Sequence, residues 1–142
     1  MSLNEQLRNG ACQVYDSNMR VWVNPTGNYL CAYPDLSVVC GEPCFEDNQF
    51  DTLLNPKILI EVLSPSTEQF DPRTKVTLYR QLQPLEECLL IAQDRVHVEH
   101  YTRQRSGDWS RSDRDDLNDE VQLLSVGAKL KLTDIYHRVA FQ

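Results

Sequence analysis

Apolar positions along this chain come in short runs separated by polar turns, and most runs have strand spacing. The densest is Pro56-Lys57-Ile58-Leu59-Ile60-Glu61-Val62-Leu63-Ser64-Pro65. Branched aliphatics bounded by prolines predict a buried strand there. Tyr33-Pro34-Asp35-Leu36-Ser37-Val38-Val39 predicts another, opening just after a proline. Cys12 to Tyr15 and Arg20 to Val23 are short β-prone runs, and the turn residues Asp16-Ser17-Asn18 between them predict a hairpin. Leu89 to Ala92 and Val96 to Thr102, joined by Gln93-Asp94-Arg95, predict a second hairpin. Val121 to Leu124 and Lys129 to Leu132 predict two final strand pieces.

Helical signals are fewer. Asn4 to Arg8 predicts a short helix cut off by Asn9-Gly10. Asp71-Pro72 is a strong start, with Asp at the cap and Pro at the first helical position. That helix is predicted to reach Gln83 and stop at Pro84. Thr133-Asp134-Ile135-Tyr136 predicts a short terminal helix. Gly41 to Asn55 is a long acidic loop, and Arg103 to Asp119 a charged loop with a short strand. No repeat or linker divides the chain, so residues 1–142 read as one domain.

The 41% hydrophobic content is enough for an ordinary core. No stretch approaches the roughly 20 apolar residues of a membrane span, and the start has neither a basic nor an apolar segment, which speaks against a secretory signal and for the cytoplasm. Five cysteines, odd in number and scattered, then read as free thiols in a reducing compartment. Cys40 and Cys44 have the spacing of half a zinc site, but no second pair follows. The net charge of −7 argues against a protein whose main task is gripping phosphates. It does not exclude a nuclease, because acidic metal ligands add to the deficit and a bound cation cancels part of it.

The candidate chemistry starts from Glu61. A carboxylate in a buried strand must be paired, protonated or bound to a cation. Strand alternation puts Leu59, Glu61 and Leu63 on one face, and Asp35, Ser37 and Val39 likewise share a face. If the two strands are neighbours, Asp35 and Glu61 can converge on one magnesium-like ion. The plainer alternative is that Asp35 caps a turn and Glu61 pairs with an arginine. Lys75, Leu78, Tyr79 and Leu82 form one stripe of the helix after Asp71. Lys75 can therefore reach inward toward Glu61 and a scissile phosphate, or snorkel to solvent. Tyr79 reads as a core residue with its hydroxyl satisfied rather than a catalyst, and Asp71 as the helix cap rather than a site residue. Ser64, Ser66 and Thr67, just beyond the Glu61 strand, can contact phosphate oxygens or simply form a turn.

The order of these elements resembles the PD-(D/E)XK nuclease superfamily, and within it a large bacterial family of restriction-endonuclease-like proteins. The resemblance rests on the Tyr33 to Val39 run, on Glu61-Val62-Leu63-Ser64-Pro65-Ser66-Thr67, and on Asp71, Lys75 and Tyr79 at helical spacing. It implies an α/β (α+β) fold with a restriction-endonuclease-like core: a mixed, bent central β-sheet with a helix packed across it. It implies hydrolysis of DNA with Mg2+ or Mn2+, and Asp35 and Glu61 as metal ligands; a homodimer is a further expectation, as one way for a short member to complete its site. The superfamily's usual lysine lies two residues after the second acid, where this chain has Leu63; in this family a lysine on the following helix takes its place, which points to Lys75. Members usually begin with a further N-terminal segment bearing an acid, and here only Glu5 stands near that place. The competing expectation is a catalytically degenerate nuclease fold acting as a dimeric binding or scaffold module.

Overall fold

The computed structural model describes residues 3–7, 10–22, 31–46, 52–63 and 72–137. Its centre is a six-stranded sheet of β1 (Cys12–Tyr15), β4 (Leu36–Cys40), β6 (Ile58–Leu63), β7 (Glu87–Ala92), β8 (Val98–Arg103) and β9 (Trp109–Arg114), hydrogen-bonded in that order. Only β6 and β7 run parallel; the other pairings are antiparallel. Apart from Glu61 and Glu87, β6 and β7 are apolar on both faces, because layers cover them on both sides.

One face carries Ile58, Ile60, Leu89, Ile91 and Val98. It is covered by α1 (Leu3–Leu7), the two-stranded β10 (Glu120–Leu123) and β11 (Ala128–Lys131), and α3 (Leu132–Ile135). The other carries Val39, Leu59, Cys88, Leu90 and Tyr101. It is covered by α2 (Pro72–Tyr79) and by a small sheet of β2 (Arg20–Trp22), β3 (Cys31–Ala32) and β5 (Thr52–Leu53).

The β7–β8 hairpin forms as predicted, and Tyr136 closes its turn. The Tyr136 hydroxyl accepts the N–H of His97 at 3.1 Å and lies 2.8 Å from the carbonyl of Ala92. β10 and β11 pair across a turn in which Gly127 has φ +69°, a conformation that side chains rarely adopt.

The first hairpin does not form. β1 pairs with β4, while β2 leaves for the small sheet and pairs with β3 and β5. The Asp16 to Met19 turn is real, with Asn18 N–H on the Asp16 carboxylate, but it redirects the chain between sheets. α2 ends at Tyr79, short of Gln83. The guanidinium of Arg103 takes the carbonyls of Arg80, Leu82 and Gln83 and packs 5.0 Å from the Trp109 ring centroid, so an arginine ends the helix ahead of Pro84.

The cysteine expectation also needs correcting. Cys12 and Cys40 face each other in the β1–β4 register and form a disulfide, leaving Cys44 and Cys88 free among the described residues. With Cys40 so engaged, the Cys40–Cys44 half-site for zinc is gone.

Candidate functional site

β4 and β6 are antiparallel neighbours with Leu36 opposite Ile60, which brings Asp35 beside the Glu61 end of β6. Asp35 immediately precedes β4, and its Oδ2 accepts the backbone N–H of Val62 at 2.7 Å. Glu61 points to the α2 side and is 4% exposed. Its two oxygens have different partners. The buried Tyr79 hydroxyl donates to Oε1 at 2.5 Å, and the ammonium of Lys75, on the same helix, lies 3.5 Å from Oε2. The two strands are neighbours, and the helix lysine faces the acid.

The carboxyl of Glu61 is held above the usual carboxylate range. Burial is the largest cause and the nearby Asp35 charge adds to it; the Tyr79 hydrogen bond and the Lys75 charge pull the other way. Tyr79 is pushed strongly upward by burial and then by the Glu61 charge, so its phenol remains a protonated donor. Beneath them on β7, the Cys88 thiol is buried and likewise pushed up, first by burial and then by Glu61. That thiol is inert in the closed protein.

Two neighbouring carboxylates, one buried and destabilised by the other's charge, suit a hard divalent cation. Among the described residues no group of three or more His, Cys, Asp or Glu converges. A cation between Asp35 and Glu61 would complete its shell with backbone carbonyl, water and substrate oxygens, the usual habit of magnesium.

Of the other sequence candidates, Ser64, Ser66, Thr67 and Asp71 lie outside the described residues. Glu5 lines a groove of about 870 Å³ that is also lined by Ile60, Val62 and Ile91, residues of the opposite sheet face. Asp35 stands at the edge of that groove, but Glu61 and Lys75 do not line it. Tyr79 is in the core with its hydroxyl satisfied, as expected, and the acceptor is Glu61, which Lys75 on the same helix stripe also faces. Sequence reasoning missed Glu87, 1% exposed, which faces the other layer. Glu87 Oε1 lies 3.0 Å from His100 Nε2, and Oε2 accepts the Ser125 hydroxyl at 2.5 Å, tying the β10–β11 turn to the central sheet.

Asp35, just ahead of β4, and Glu61 of β6 thus lie together with a lysine from the crossover helix α2 in a covered mixed sheet. The same fold occurs in the crystal structure of a putative nuclease belonging to DUF820 from Anabaena variabilis. The match has a TM-score of 0.74 over 96% of this chain and 75% of that one, at 17% identity, which establishes the fold. The chain belongs to the Uma2 family, described as "Putative restriction endonuclease", whose profile matches residues 1–133. Two Synechocystis sp. (strain PCC 6803) relatives are similar to it. Uncharacterized protein slr1290 is 33% identical over 95% of this chain and 68% of its own length. Uncharacterized protein sll1609 is 36% identical over 78% of this chain and 61% of its own length.

Proposed function

We propose that the protein hydrolyses DNA phosphodiester bonds with Mg2+ or Mn2+. Asp35 and Glu61 hold the cation and Lys75 assists the attacking water. The observation that carries this reading is the Lys75–Glu61 pair at 3.5 Å with Asp35 anchored on the next residue, Val62. The cation would supply Lewis acidity at the phosphate and a lowered pKa for water. Asp35 and Glu61 set its position. Lys75, with its side chain 31% exposed, is near enough to solvent to meet a phosphate and starts beside Glu61. Its charge would stabilise the negative charge that develops on phosphate oxygens. Family membership and the nuclease-like fold support the same reading.

The test is purified protein with plasmid and oligonucleotide DNA in magnesium or manganese. Cleavage is expected, and a loss of at least about 100-fold in Glu61→Ala. Intact DNA with both proteins refutes the proposal.

A further inference from the structure

The two oxygens of Glu61 are not equivalent. Oε1 receives the only proton that the Tyr79 hydroxyl can give, at 2.5 Å. The Tyr79 ring is 1% exposed and packed in the cluster of Val76, Leu82, Leu85, Cys88 and Leu90, so it cannot follow a moving carboxylate. Among the described residues, Oε2 is faced by the Lys75 ammonium alone, at the outer limit of hydrogen-bonding distance and on the side chain that reaches solvent.

We propose that Tyr79 is a positioning residue that commits Glu61 to bind a divalent cation through Oε2 alone. This rests on the Asp35–Glu61 cation site proposed above. The hydrogen bond fixes the carboxylate rotation, as outer partners of metal-binding carboxylates do. It follows that Lys75 and the cation contend for one oxygen. The ammonium leaves Oε2 when the cation arrives, and is then free to face the phosphate.

The experiment is Mn2+ titration, read by electron paramagnetic resonance, of the wild type, Tyr79→Phe and Lys75→Met. Tyr79→Phe keeps the ring and removes the donor. It is expected to weaken Mn2+ binding by about 10–100-fold with the metal-free melting temperature little changed. Lys75→Met is expected to strengthen binding, because the competing charge is gone. Opposite signs in two neighbouring variants are not what a purely packing role for Tyr79 produces. Equal affinity in Tyr79→Phe and wild type overturns the positioning role while leaving the cation site standing. Weaker or unchanged affinity in Lys75→Met overturns the contest for Oε2. A wild type that binds no Mn2+ overturns the cation site itself, and Tyr79's role with it. Should the Phe variant fail to fold, Tyr79→Met serves the same comparison.

Discussion

The carboxylate of Asp35 accepts the backbone N–H of Val62, the residue that follows Glu61, at 2.7 Å. One side chain thereby fixes the separation of two strands at the point where both deliver an acid. Asp35→Ala is expected to cost about 1–2 kcal/mol in urea unfolding, because it removes a charge-assisted bond and leaves an amide unsatisfied. Asp35→Asn keeps an acceptor and is expected to cost less. Both should lose Mn2+ binding. If Asn binds as tightly as wild type, Asp35 is structural only.

Lys75→Met is expected to fold at a cost of about 1–3 kcal/mol, since it takes the ammonium from the buried Glu61 carboxylate and leaves the Tyr79 hydrogen bond. DNA cleavage should fall by at least about 100-fold in the same variant. Cleavage close to the wild-type rate would remove Lys75 from the chemistry.

Glu87 lies on the other face of the sheet, and its replacement separates stability from function. Glu87→Ala strands His100 and Ser125 without their buried acceptor and should cost about 2–4 kcal/mol in chemical denaturation. Mn2+ affinity should hold. A loss below about 1 kcal/mol would mean that water replaces the carboxylate.

The Cys12–Cys40 disulfide closes a loop with a sequence separation of 28. Cross-linking a loop of that length stabilises by about 3–4 kcal/mol in the chain-entropy account. Reduction, or Cys12→Ser, should lower the denaturation midpoint accordingly. An unchanged midpoint under reductant would argue that the bridge does not persist in solution.

Tyr101 is one contributor to alkaline sensitivity. Burial, then the hydrogen bond to Glu99 and its charge, push the phenol up to about 12. The folded state therefore holds its proton more tightly than the unfolded chain does. This contribution is complete below pH 10, the ordinary tyrosine value, and is lost as pH rises toward 12. Denaturation midpoints across that window should fall less steeply in Tyr101→Phe than in wild type; parallel curves would refute the assignment.

Much of the site was legible from local pattern. Glu61 stood out because an acid interrupts an aliphatic run, and Lys75 because helical spacing aligns it with apolar neighbours. The parts that escaped depend on pairings that period alone does not specify. Nothing local says that β1 joins β4 rather than β2, so Cys12 and Cys40 read as separate thiols. Glu87 was hidden by its place at a strand start, where a carboxylate looks solvated until the β10–β11 turn covers it. Tyr79 belongs to the core, as its helical spacing predicts, and its hydroxyl donates to the buried Glu61.

Cys88 lies under this arrangement, 1% exposed, while Cys44 is free at the surface. The pair makes a built-in clock. A thiol reagent reaches Cys44 at once but reaches Cys88 only when the layer containing α2 lifts, a local opening with its own free energy. In a chain with Cys31 changed to serine, the ratio of the two labelling rates measures how often Glu61 is uncovered. Mn2+ bound beside that acid should slow the buried clock and leave the exposed one unchanged.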